Sequence, residues 1–179
     1  GIVDDHIATI KDDLRSLPVM SLVMKTGDLF DDDYGIYSNP RNDGFAWERP
    51  GSVELFHTDG SDDGFQINCG VRIYGGVGRN ESFRKKTFRF LFKGMYGATK
   101  LRYPLFGDEA TDEFDTIIIR ANFNDGYPWG GADSQFIRDE WMRQTQQALG
   151  HPSAIGTFVH LYINGLYWGL YNPVQRPDM

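Results

Sequence analysis

Hydrophobic and polar positions alternate with a period of two along much of this chain, and a 3.6-residue period governs a single long stretch. The clearest alternation runs through 66–74. There Ile67, Cys69, Val71 and Ile73 share one face and Gln66, Asn68, Arg72 and Tyr74 the other, as a half-buried strand requires. Residues 83–93 alternate as well, with Lys86, Phe88, Phe90 and Phe92 on one side and Lys85, Thr87, Arg89 and Leu91 on the other. Residues 19–24 predict a buried strand, and 52–57 predict another through Val53, Leu55 and His57. The run Ile117-Ile118-Ile119 within 114–120 predicts a strand covered on both faces. Residues 101–106 contain Pro104, which demotes them to an edge or a loop. Strands at 157–163 and 166–171 flank Asn164-Gly165, the preferred two-residue hairpin turn, and Pro173 should end the second.

The helical period lies at 134–149. Ile137, Trp141, Thr145 and Ala148 form the stripe expected to face inward, Asp133 or Ser134 the N-cap, and Gly150 with Pro152 the stop. Residues 4–16 read as a short helix or linker, and 26–50 as an Asp- and Gly-rich loop. Strands outnumber helices and do not alternate with them, which predicts an α+β fold: a mainly antiparallel twisted sheet with one long helix packed on it. No linker interrupts the chain. It divides into residues 1–16 as a leading linker or short helix, 17–176 as one domain, and 177–179 as a cut end.

Composition narrows the function classes. The 179 residues are 40% hydrophobic and 15% aromatic, too rich in core formers for a disordered segment. The 21 Gly and 8 Pro favour many short elements over a helical bundle. A net charge of -7 excludes a domain-wide basic footprint for nucleic acid, so an anion would have to be met by a local basic patch. Cys69 is the one cysteine, which excludes an internal disulfide or a multi-cysteine metal site. No apolar run reaches the roughly 18–20 residues that span a bilayer, and the N-terminus lacks the basic-then-apolar order of a signal peptide.

The most suggestive chemistry lies between two strands. Gly75, Gly76 and Gly78 precede Arg79, Arg84, Lys85 and Lys86; glycines let backbone N–H groups approach an anion, and lysine adds a point charge. The spacing completes neither G-x-x-x-x-G-K-[ST] nor G-x-G-x-x-G, since Glu81 stands at the last glycine. On spacing alone a hairpin loop with solvated basic flanks is the plainer reading. Glu140 lies at the edge of the helix stripe, within reach of a neighbouring strand, and a strand lysine held by a helix glutamate orients phosphate in protein kinases. Asp31-Asp32-Asp33 lacks the spacing of a calcium loop. The four histidines show no zinc pattern, no G-x-S-x-G elbow is present, and Cys69 reads as a core filler.

Four blocks in order resemble the CotH family of spore coat protein H-like atypical protein kinases. They are LPV at 17–19; GVRIYGGVGR at 70–79 with RKKTFRF at 84–90; IRDE at 137–140 with LG at 149–150; and VHLYINGLYWGLY at 159–171. The last block is the most specific, and the resemblance spans about residues 17–176. It implies a two-lobed kinase-like fold holding ATP and Mg between its lobes, with this chain as the N-terminal lobe. It further implies transfer of the ATP γ-phosphate to Ser/Thr of a protein substrate. The resemblance assigns Arg72, Gly75, Gly76, Gly78 and Arg79 to nucleotide binding, with the glycine turn over the phosphates. Lys85 or Lys86 becomes the phosphate-binding lysine, and alternation does not choose between them. Glu140 or Asp139 holds that lysine, and Tyr167 to Asn172, Tyr171 among them, approach the adenine and the hinge.

The family's catalytic and metal-binding aspartates belong to the second lobe. No catalytic or metal residue is therefore assigned here, and the isolated chain, without that C-lobe, is expected to transfer nothing. An extracytoplasmic or spore-surface setting is implied by the resemblance alone. Two readings compete: a β-rich surface or carbohydrate-binding module using Trp47, Trp129 and Trp168 as stacking platforms, and a non-catalytic structural coat protein.

Overall fold

A computed structural model describes residues 2–108, 110–126 and 131–176; Trp129 and residues 177–179 lie outside them. Seven strands close into a barrel in the order β1-β2-β3-β4-β7-β9-β8. They are β1 (Val19–Val23), β2 (Arg49–Phe56), β3 (Phe65–Tyr74), β4 (Thr87–Leu91), β7 (Thr116–Arg120), β8 (Val159–Ile163) and β9 (Leu166–Gln175). Neighbours are antiparallel except β1 and β8, whose parallel pairing closes the ring. Closure removes the unpaired edges that an open sheet would expose. The short strands β5 (Leu101–Arg102) and β6 (Glu113–Phe114) pair outside the barrel.

The interior comes from the strand faces that the alternation predicts. Val53, Cys69, Val71, Phe88, Phe90, Ile117, Ile119 and Leu161 are completely buried, and Ile118 on the opposite face of β7 is buried too. The sheet-rich α+β expectation holds, in the form of a barrel rather than an open sheet. Asn164 and Gly165 adopt φ of 50° and 81°, the pair of positive angles that a type I′ hairpin needs.

Several boundaries differ from expectation. β2 begins at Arg49, inside the predicted loop, because Arg49, Pro50 and Gly51 pair with Val71, Gly70 and Cys69. β9 continues through Pro173, which opposes Ile119 and accepts the Thr157 N–H at 3.0 Å, so the ring sits where only a carbonyl is needed. β4 starts at Thr87 rather than at 83. Asn80 Oδ1 accepts the Ser82 N–H at 3.1 Å and Phe83 packs against Phe123 at 4.9 Å, so the chain turns before it extends. The leading segment forms two single turns, α1 (Ile2–Asp5) and α2 (Ile10–Asp13), and α3 (Thr26–Phe30) arises in the acidic loop. Asp31 Oδ1 there accepts the Asp33 and Tyr34 N–H groups, an ordinary Asx turn.

The long helix is α4 (Arg138–Ala148), shorter than predicted and capped differently. Asp133 and Ser134 do not cap it; the buried Asp125 accepts the Gln135 and Arg138 N–H groups, each at 3.2 Å, placing a carboxylate at the positive end of the helix. The helix is also turned over. Ile137 and Trp141, expected inward, are 52% and 61% exposed, whereas Glu140 is buried. The reason is the surface on which α4 rests: Asn172, completely buried on β9, offers it a polar partner.

Candidate functional site

The outer face of β3, β4, β7 and β9 carries the residues that alternate with the core. Register places Arg72 beside Arg89, Arg89 beside Ile118 and Ile118 beside Val174. One step along, Tyr74 pairs with Thr87 and Arg120 with Asn172. α4 docks on this face through one ion pair to β7 and, by way of a second pair within the helix, a hydrogen-bonded contact to β9. Asp139 holds an Nη of Arg120 at the end of β7, and Glu140 holds Nη2 of Arg143. Asn172 joins the second pair: its Nδ2 donates to Glu140 at 3.2 Å and to the Thr157 carbonyl at 2.7 Å, and its Oδ1 accepts from Arg143 at 2.7 Å. Gly156 forms the floor. A Cβ there would collide with Glu140 Oε2 and lie 2.9 Å from the Pro173 carbonyl oxygen.

Between this helix and the sheet opens a cavity of about 370 Å³, walled by Gly75, Thr87, Arg120, Asn122, Arg143 and Arg176 among others. Among the described residues three arginines line it and no carboxylate does, on a chain of net charge -7. Burial first, then the nearby Arg176, lowers the pKa of the adjoining Arg89, with Tyr74 and Glu48 opposing the shift. Two buried polar atoms of the lining side chains have no partner among the described residues: Arg143 Nε and Asn122 Oδ1. The amide of Asn122 cannot simply be reversed, because its Nδ2 donates to the Phe136 carbonyl at 2.9 Å. Buried unpaired donors are rare in folded proteins, and each needs an explanation.

The residues singled out by sequence scatter around this cavity. Gly75 lines it and needs its glycine, with φ at 115°. On the other side of the turn a second cavity, of about 420 Å³, is lined by Arg41, Gly75, Gly76, Val77, Arg79 and Asn80. Gly78 is small for a packing reason, since a Cβ there would sit 2.9 Å from the Phe123 ring. Arg79 is spent on the loop before β2: it donates to the Pro40, Arg41 and Asn42 carbonyls and pairs with Asp43. Arg72 donates to Glu48 at 2.6 Å, and that carboxylate also holds Lys93 at 2.8 Å and Tyr96 at 3.0 Å.

The lysine–glutamate clamp expected from the resemblance does not form among the described residues. Lys86 points to the buried side and donates to the Asn80 carbonyl, pinning the glycine turn. Lys85 crosses β9 at Gly169, donates to the Leu170 carbonyl and lies 4.3 Å from the Tyr171 ring centre. No carboxylate pairs with it, and burial pulls its pKa down to about 8. Glu140 is taken by Arg143 and Asn172 instead. Tyr171 is a core residue, 1% exposed, whose hydroxyl donates to the Lys86 carbonyl at 3.0 Å, which removes it from any adenine-facing surface. Sequence reasoning missed Arg120, Asn122 and Arg143, and placed Asn172 in the adenine-facing segment rather than against α4. The only local signal is Arg143 at i+3 from Glu140, a spacing that pairs side chains on a helix.

The other candidates resolve as packing. Burial first, then Glu48, pushes the Cys69 thiol up to about 12, so it is inert as a nucleophile. No cluster of three or more metal-ligating side chains occurs among the described residues. No helix of the described residues is long and apolar enough to cross a membrane. Trp168 donates to the Tyr37 hydroxyl at 3.1 Å and packs edge-on to that ring, and the Arg49 guanidinium lies over Trp47.

No curated protein matches the chain. The family model described as CotH kinase protein matches residues 71–179, more than half of the chain, from within β3 across the arginine cavity and α4 to the closing hairpin, and the chain belongs to that family.

Proposed function

We propose that this chain is the nucleotide-binding lobe of a CotH-type protein kinase, built in the manner of a kinase N-terminal lobe, with ATP seated against the outer sheet face beneath α4. The observation that carries this reading is the cavity of about 370 Å³ whose described lining holds three arginines and no carboxylate. An anionic ligand suits it: cations already assembled on a low-dielectric wall attract phosphate oxygens without rearrangement.

ATP supplies a γ-phosphoryl group for transfer to a protein hydroxyl. The chain's own residues do the holding. Gly75 lets the turn approach closely, Lys86 pins that turn through Asn80, and Asn172 fixes helix and strand together. Phosphoryl transfer depends mostly on such positioning and charge stabilisation. The lining residues do not fit a protein-held Mg ion, since they include no carboxylate, and no step is assigned to one here.

Isothermal titration of the chain with ATP and ADP, and separately with a glycan panel, tests the reading. Saturable nucleotide binding that weakens steeply with salt is expected. Saturable glycan binding without a nucleotide response would overturn it.

A further inference from the structure

In protein kinases the phosphate-holding cation is a lysine on the strand before the helix that supplies its glutamate. Here the strand immediately preceding α4 in the chain is β7, and the residue at its end is an arginine. Arg120 does meet an α4 carboxylate, but that of Asp139. One turn on, Arg143 has a side chain only 15% exposed. Its Nη2 is engaged by Glu140 and Asn172, its Nε is buried with no partner among the described residues, and the side chain lines the cavity. The two lysines are committed elsewhere, Lys86 to the Asn80 carbonyl and Lys85 to the Leu170 carbonyl and the Tyr171 ring.

Resting on the nucleotide reading above, we infer that the polyphosphate is held by a guanidinium clamp of Arg120 and Arg143 at the cavity wall, rather than by either lysine. The chemistry favours this division. A guanidinium presents several N–H donors in a fixed plane, so Arg143 can keep Glu140 and Asn172 on one nitrogen and offer another to a ligand. Asp139 and Glu140 orient the two forks from behind. A lysine at either position would keep the positive charge but offer only one nitrogen, and would lose that second contact.

The test uses the chain itself with two probes, ADP and inorganic tripolyphosphate, and the variants Arg120→Lys, Arg143→Lys, Lys85→Met and Lys86→Met. Loss of a charge-assisted hydrogen bond predicts that each arginine variant weakens both probes by about ten- to a hundredfold. The thermal midpoint should stay near that of the parent; Lys85→Met should lose less than about threefold, since the clamp does not use it, and Lys86→Met, which frees the glycine turn, should lose less than either arginine variant. Lysine variants that abolish binding while the arginine variants retain it would overturn the clamp and leave the nucleotide reading standing. Arginine-dependent binding of tripolyphosphate with no binding of ADP would uphold the clamp and refute the nucleotide reading. Absence of binding by either probe would refute both. If Arg143→Lys does not fold, the arginine Nε–H resonances of the parent chain carry the test: tripolyphosphate must move that of Arg143, and an unmoved resonance at saturation overturns the clamp.

Discussion

Replacing Lys85 with Met should flatten the rise of stability with pH. In the fold the ammonium has a hydrogen bond and an aromatic face but no carboxylate, and burial lowers its pKa from 10.5 to about 8. A lowered lysine pKa means that the unfolded chain binds more protons between those values, so stability rises with pH across that window. Between pH 7 and pH 9.5 the linkage amounts to about 2 kcal/mol. Cys69, whose pKa rises from 9.0 to about 12, works in the opposite direction but is common to both proteins. Tyr96 and Tyr103, raised to about 12, act mainly above the window. Urea denaturation followed by tryptophan fluorescence at half-unit pH steps isolates Lys85 as the difference between the two curves. The parent should gain about 2 kcal/mol relative to Lys85→Met. Parallel curves would refute the reasoning, because a lysine clamped by a carboxylate keeps its ordinary or a raised pKa and produces no such rise.

Gly156→Ala places a methyl group into Glu140 and the Pro173 carbonyl and should cost about 1–3 kcal/mol in urea denaturation, as overpacked sites do. Trp141→Ser should change stability by less than about 0.5 kcal/mol, since the ring is 61% exposed; a loss typical of a core tryptophan would show that α4 sits the other way round. For Glu48, burial alone would raise the pKa, but hydrogen bonds from Lys93, Tyr96 and Arg72 outweigh it and hold the carboxyl below 4.5. A lowered carboxylate pKa contributes stability above the unfolded value that is lost as pH falls through the folded one. Glu48→Gln should therefore remove part of the acid limb below pH 4.5 in a thermal unfolding series.

Elements specified by neighbouring residues were legible from the sequence. The alternation of Ile67, Cys69, Val71 and Ile73 needs only period two, and the Asn164-Gly165 turn needs only two residues that tolerate positive φ. What depended on distant partners was not legible. The stripe of Ile137 and Trp141 obeys the helical period yet faces solvent. Asn172 and Arg120 attract the opposite face, and no local window reports what a strand 32 residues away presents to Glu140. Lys85 and Lys86 were read as strand residues by extending the pattern of Phe88 and Phe90 backwards. The Asn80 turn and the Phe83–Phe123 contact bend the chain just there, sending the two ammonium groups to backbone carbonyls. The glycine turn follows β3 as expected, but its cationic neighbours across the cavity come from β7 and α4, which the β4–β7 pairing and the Arg120–Asp139 ion pair bring beside it.

Diffraction from crystals of the chain grown with ADP measures most directly where the nucleotide sits. Phosphate density bridging Arg120 and Arg143 beside Gly75, under α4, is the predicted result. Density on the other side of the glycine turn, in the cavity lined by Arg41, Val77 and Arg79, would contradict it.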